Sequence, residues 1–233
     1  MGAAAPCYSP AMHDSRAFTA IAALFAVILI VSNVASAKLV SFWGLTLDAG
    51  TVLFPLSYIF GDVLTEVYGY AASRRVIWLG FGSTVLASAV FLLVGVLPPS
   101  PEWGGQDAYM AILGLTPRIV AASLLAYLVG EFANSYVLAR MKVAMEGKML
   151  WARTIGSTLV GELLDSVIFV LAAFWGVFDT GVIVPLIVSN YVFKVAVEVL
   201  FTPLTYAIVR SLKARDHTDV YDCATDFNPF RIG

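Results

Sequence analysis

The chain has 233 residues, 60% of them hydrophobic and only 13% charged, with a formal net charge of −2 and a mean hydropathy of +0.85. Soluble domains are about 25% charged and about 45–50% apolar, and so short a chain keeps too much surface to hide this apolar content in one core. A bilayer that solvates the outer faces resolves the excess, while nothing in the net charge points to nucleic acid.

Residues 1–16 read as a disordered cytoplasmic tail. They lack the basic start of a signal peptide, and the myristoylation-like Gly2 is followed by Pro6 where that motif needs Ser or Thr. Cys7 and Cys223, like His13 and His217, lie in opposite tails, so no disulfide framework, metal site or bound cofactor is expected. A membrane-crossing helix needs about 20 mostly apolar residues, and residues 17–211 supply six such stretches as one transmembrane domain. Phe18–Ala37 is uncharged and carries Ser32, Asn33 and Ser36. Ala49–Tyr70 is punctuated by Pro55 and Gly61 and holds Tyr58, Asp62 and Glu66. Val76–Leu97 is nearly featureless and apolar. The linker Pro98–Thr116 follows, with Glu102 and Asp107, and with Trp103 and Tyr109 suited to the headgroup belt. Ile119–Ala139 carries Tyr127, Glu131 and Asn134; Ile155–Phe178 carries Glu162 and Asp165. Val182–Val209 is long, has Pro185 and Pro203 near its ends, and holds Asn190, Lys194 and Glu198. Residues 212–233 form a second tail.

Cytoplasmic loops accumulate Lys and Arg. With both termini inside, the inner set is Arg16, Arg74, Arg75, Arg140, Lys142, Lys148, Arg153, Arg210, Lys213, Arg215 and Arg231, against Lys38 and Arg118 outside. That asymmetry fixes the expected orientation, with both termini on the cytoplasmic side. Gly61-Asp62-Val63-Leu64 also echoes Gly161-Glu162-Leu163-Leu164. The second and fifth spans run in opposite directions, as an inverted 3+3 repeat around a central polar cavity requires.

Seven ionisable side chains fall inside the spans: Asp62, Glu66, Glu131, Glu162, Asp165, Lys194 and Glu198. At about 2.5–3.5 kcal/mol each they would cost about 17–25 kcal/mol facing lipid, more than the roughly 5–15 kcal/mol by which proteins are stable. They must pair, protonate, snorkel or line a wet cavity. Helical spacing sets their faces. Tyr58, Asp62, Thr65 and Glu66 form one stripe; Tyr127, Glu131 and Asn134 a second; Thr154, Thr158, Glu162, Asp165 and Phe169 a third; Asn190, Lys194, Glu198, Thr202 and Thr205 a fourth. Lys194 with Glu198 also has the spacing of a purely structural pair. Like charges one turn apart repel, so in each acidic pair at least one member has a raised pKa or meets a donor-rich partner. An acceptor-rich cavity suits a cation, a proton or a neutral molecule with clustered N–H donors, and Phe54, Tyr58, Tyr127 and Phe169 are available to stack on a planar ring.

The motif Phe54-Pro55-Leu56, Asp62-Val63-Leu64-Thr65-Glu66-Val67-Tyr68-Gly69 and Arg74-Arg75 resembles the YhhQ-like queuosine precursor transporters. The likeness continues through Ala126-Tyr127, Thr158 with Asp165, Asn190-Tyr191 with Lys194, Thr202-Pro203-Leu204 and the tail Thr225-Asp226-Phe227-Asn228-Pro229-Phe230. The resemblance implies an all-α, six-helix inner-membrane protein importing 7-cyano-7-deazaguanine and its aminomethyl relative. Its partners would be the 7-deazaguanine base and the lipid bilayer, without nucleic acid; a homodimer stays open. A guanine-like edge offers two adjacent N–H donors to one carboxylate, for which Asp62, Glu66 and Asp165 are the candidates. The family commonly has glutamine at the positions of Glu131 and Glu162, which implies that their charge is dispensable. Three other functions are weighed against this one. A substrate-binding subunit of a multi-component importer would need an ATP-binding partner, since no P-loop occurs here. An intramembrane aspartyl enzyme would need Gly-X-Gly-Asp, whereas Ile59-Phe60-Gly61-Asp62 lacks the first glycine. A structural scaffold has no use for so many buried charges.

Overall fold

The computed structural model describes residues 16–42, 45–114, 117–176 and 179–231, so the N-terminal tail expected over 1–16, with its Cys7 and His13, lies outside the described residues except for Arg16. The chain runs α1 (Arg16–Ala35), a hairpin β1 (Leu39–Phe42) and β2 (Leu45–Asp48), a 3₁₀ turn (Ala49–Val52), α2 (Phe54–Val63), a π-helical turn (Leu64–Tyr68), α3 (Tyr70–Val96), α4 (Gln106–Leu113), α5 (Pro117–Ala144), α6 (Leu150–Phe174) and α7 (Thr180–Asp216). The architecture is helical apart from that hairpin, which pairs Leu39 with Asp48. Alternating apolar and polar residues in Leu45–Asp48 suit a strand, but they lie in a connection too short to stand out beside the spans.

Among the described residues, five helical stretches are long and apolar enough to cross a membrane, those that contain α1, α3, α5, α6 and α7. The sequence leads one to expect a sixth over Ala49–Tyr70. There the structure has a broken element, 3₁₀ then α then π, in place of one continuous helix. Backbone irregularity at membrane depth survives only when protein covers it, and every residue from Leu64 to Tyr68 is buried. The linker before α5 also differs from an open loop. Its helix α4 folds back on α3, with Gln106 donating to the Gly95 carbonyl at 2.8 Å and Tyr109 to the Phe91 carbonyl at 3.1 Å.

The bundle is polar within and apolar without. Among the largest fully buried side chains are Arg153, Lys142, Glu66, Glu162 and Glu198, whereas Leu79, Leu86, Leu93, Val188, Val192 and Leu200 are exposed. A soluble fold arranges these the other way round; a bilayer makes this arrangement stable. Helix α5 lies chiefly along α6, α6 along α7, α1 along α3, and α2 against α7.

Helix α5 reaches its neighbours closely because they present glycine to it. A Cβ on Gly61 would sit 2.2 Å from the Glu131 carboxylate, and one on Gly161 would sit 2.9 Å from the Gly130 carbonyl and 2.8 Å from the Asn134 Cβ. Helix α7 stays continuous through Pro185 and Pro203, although each proline removes a helical N–H donor.

The π turn ends at Gly69, whose φ is +83°. Val220 lies 2.7 Å from where a Cβ would be, so alanine there is both strained and blocked. Gly69→Ala is expected to cost about 1–3 kcal/mol, read as a lower midpoint in thermal unfolding of the detergent-solubilised protein; an unchanged midpoint would contradict the account.

Candidate functional site

Three helices bring carboxylates and amides together around α5. Asn134 on α5 donates through Nδ2 to Asp62 Oδ1 on α2 at 2.9 Å. Glu131, one turn earlier, lays its carboxylate on Gly61 beside Asp62. On α6, Asp165 packs its Cβ against Gly130 and accepts from Lys194 of α7, whose Nζ is also 3.1 Å from Glu162 Oε2. Glu198, one turn along α7, faces the same group and interacts electrostatically with Asp62, as does Glu131. Asp62, Asn134, Glu162 and Glu198 are within 1% of complete burial.

What distinguishes the group is that its acceptors outnumber its donors. Asp62 Oδ2, Glu131 Oε1, Asn134 Oδ1, Glu162 Oε1 and both oxygens of Glu198 have no hydrogen-bond partner among the described residues. A buried acceptor left unmet costs about 1–3 kcal/mol, more when charged, so a cluster of them marks a place that expects a donor-bearing guest. The hydroxyls of Thr158 and Ser166 on α6 are likewise unpartnered.

The other expected residues lie around this group or away from it. Tyr58 is buried one turn before Asp62. Tyr127, one turn before Glu131, donates its hydroxyl to the Ile77 carbonyl at 3.2 Å. Asn190 donates to the Leu186 carbonyl of its own helix. Phe169 is half-buried and packs edge-on against Phe174, and the Phe54 ring lies outside what is described. Asn33 lines a separate open cleft with Val34, Thr84, Ser88, Phe91 and Val120, and Ser123 donates to the Asn33 side-chain Oδ1 at 3.4 Å. Lys194 does not pair with Glu198 in the way their spacing suggests. Two acids on α6 hold it instead, and the combined pull of two carboxylates outweighs that of one.

Glu66 also leaves the stripe it would share with Asp62. The π turn that contains it has a wider period than an α-helix, so four residues no longer stack on one face. Its carboxylate is directed to the basic end of the bundle. There Arg153 grips it through two nitrogens at 2.6 and 3.2 Å, and Lys213 donates at 2.7 Å. Lys142 stands 3.7 Å from the carboxylate and donates to the Glu66 carbonyl at 2.5 Å. Asp219 joins both lysines, at 2.5 and 2.8 Å. Partial burial alone would raise the Asp219 carboxyl, but the two lysines outweigh it and hold it below the usual carboxylate range.

The C-terminal segment is strapped over this bolt. Val220 N–H donates to the Val67 carbonyl. Asp222 accepts from Tyr70 N–H at 3.0 Å, capping the start of α3. Arg74 donates to the carbonyls of Asp226 and Asn228 at 2.8 and 2.7 Å, and Trp78 to that of Pro229 at 2.7 Å. Phe227 packs between Tyr70 and Tyr136. Neither the bolt nor the strap was legible as a unit, although Arg153, Lys142 and Lys213 all figure in the inner positive set and Thr225–Phe230 in the resemblance.

A bundle with an apolar exterior, several membrane-length helices and unmet acceptors at its centre is a multi-pass membrane transporter. Residues 48–208 match the family described as "Putative vitamin uptake transporter". The chain is 34% identical over 179 residues to a Bacillus subtilis (strain 168) protein named "Probable queuosine precursor transporter", covering 76% of this chain and 77% of the relative. It is 25% identical to the "Queuosine precursor transporter" of Escherichia coli (strain K12), over 74% of this chain and 77% of the relative. The chain belongs to this vitamin uptake transporter family, whose members here bear the names of transporters and not of enzymes. No solved structure matches it.

Proposed function

We propose that the chain imports 7-deazaguanine precursors of queuosine, 7-cyano-7-deazaguanine and 7-aminomethyl-7-deazaguanine, across the inner membrane, with both termini in the cytoplasm. The observation that carries this reading is the set of unmet buried acceptors at Asp62, Glu131 and Asn134. A deazaguanine edge presents N1–H and a 2-amino group side by side, a donor pair that one carboxylate accepts in bidentate fashion. Asp62 is best placed for it, since its Oδ2 is open and its Oδ1, oriented by Asn134, can accept a second hydrogen bond. The names of the relatives supply the substrate class.

In this reading the broken element over Ala49–Tyr68 makes the sixth crossing, and broken helices are where transporters place their sites. The Gly61 and Gly161 echo supports a 3+3 arrangement, because both glycines admit α5 next to an acid of their own helix. The cleft at Asn33 is the outer vestibule. Helix α5 leads from it through Ser123 and Tyr127 to Glu131, a rise of about 16 Å from Val120 at 1.5 Å per residue. The bolt at Glu66 and the C-terminal strap close the cytoplasmic side.

The test is uptake of labelled 7-deazaguanine bases by cells unable to make them. The intact chain is expected to restore uptake. Asp62→Asn is expected to lower it about 10- to 100-fold, the equivalent of losing one charged hydrogen bond of about 1.5–3 kcal/mol, at normal protein level. No uptake by the intact chain would reject the substrate class; full uptake by Asp62→Asn would remove that residue from the site.

A further inference from the structure

We propose that Glu198 is a proton carrier and that import is driven by protons moving inward with the solute; the inference rests on the transport reading above. Five carboxyl groups face one another here: Asp62 from α2, Glu131 from α5, Glu162 and Asp165 from α6, and Glu198 from α7. The charge available to compensate them within the group is Lys194. Lys194 is committed to Glu162 and Asp165, and Asp62 has the Asn134 amide. Arg153 and Lys213, at the basic end of the bundle, are committed to Glu66.

Glu131 and Glu198 are left with neither, and of these two Glu198 is the one whose oxygens are both unmet. It is 1% exposed, and no cation lies within ion-pair distance of it among the described residues. Holding a bare carboxylate there costs several kcal/mol, whereas the neutral acid costs only an under-bonded hydroxyl. The closed arrangement therefore holds Glu198 as the acid, and an arrangement that admits water to it releases the proton. One O–H bond forms on the outer side and breaks on the inner side, and nothing is oxidised or reduced. The surroundings fit a carrier. Thr202 on the same helix ties its hydroxyl to the Glu198 carbonyl at 2.9 Å and not to the carboxyl. Asp62, the proposed base contact, interacts electrostatically with Glu198, so a guest that neutralises Asp62 changes the field at the carrier.

The experiment uses the full chain in liposomes with labelled 7-cyano-7-deazaguanine. Counterflow without any gradient tests the transport reading by itself. Accumulation is then measured with an acid exterior, with and without a protonophore. For one proton per neutral solute the wild type is expected to accumulate about tenfold per pH unit, since one unit is 1.36 kcal/mol, and to lose this with the protonophore. In Glu198→Gln the ratio of gradient-driven to gradient-free uptake is expected to fall to one, and Glu198→Asp to restore part of it. Infrared spectra of the substrate-free protein at neutral pH provide a second readout, a component of the protonated-carboxyl C=O band that is present in the wild type and missing in Glu198→Gln. Failure of counterflow would sink the substrate assignment and leave the infrared band to decide the proton site. Wild-type accumulation indifferent to the gradient, a gradient response surviving in Glu198→Gln, or the lack of that component would each overturn the proposal.

Discussion

Glu66→Leu is expected to lower stability by about 3–5 kcal/mol, the cost of stripping a buried ion pair of one partner. Arg153 is 1% exposed and directs two nitrogens at Glu66. With leucine in place of the carboxylate its charge keeps only the Gly147 carbonyl, at 3.0 Å, and Lys213 keeps only Asp219. Transfer of an uncompensated guanidinium into this interior outweighs any gain from the apolar side chain. The expected observation is poor recovery from membranes and a sharply lower unfolding midpoint in detergent. The double variant Glu66→Leu/Arg153→Met separates charge from shape, because an apolar pair of similar volume is often neutral or better than the ion pair it replaces. It should regain more than half of the loss. A Glu66→Leu protein as stable as the wild type would show that the bolt carries no load. A double variant no better than the single one would place the damage in packing.

The membrane class and most helix positions follow from apolar stretches, because length and hydropathy answer directly to bilayer thickness. The convergence of Asp62, Glu131, Asn134, Glu162, Asp165, Lys194 and Glu198 was also legible, since helical spacing puts each on the polar stripe of its own helix. Two things were not. The first is the π turn at Leu64–Tyr68, where the Asp62/Glu66 spacing reads as α-helical and no proline or glycine lies within the turn itself. Only the tertiary partners of the freed carbonyls, Lys142 on Glu66 and Val220 N–H on Val67, reveal why it persists. The second is the choice of counter-ion. Spacing pairs Lys194 with Glu198 on one helix as readily as with α6, and sequence has no measure of distance between helices. The residues that decide it, Gly130 and Gly161, set how closely α5 and α6 approach and hence where Asp165 stands.

Lys194→Ala is expected to be much more damaging than the loss of either acid it serves. Removing the lysine leaves Glu162, which is fully buried, and Asp165, which is nearly so, as like charges one turn apart with no cation between them. The cost is again about 3–5 kcal/mol, and uptake should fall with it. Asp165→Asn is milder, because Lys194 keeps Glu162 at 3.1 Å and an amide oxygen still accepts its proton; about 1–2 kcal/mol is expected, the order of a single hydrogen bond. Glu162→Gln should be milder again, since the lysine keeps its stronger contact with Asp165. The ranking matters more than the magnitudes. Unfolding midpoints in the order Lys194→Ala lowest, then Asp165→Asn, then Glu162→Gln would establish one cation shared by two acids of α6. If Lys194→Ala matched Glu198→Gln in both stability and uptake, the lysine would instead be serving its own helix, and the unpaired state of Glu198 would lose its basis.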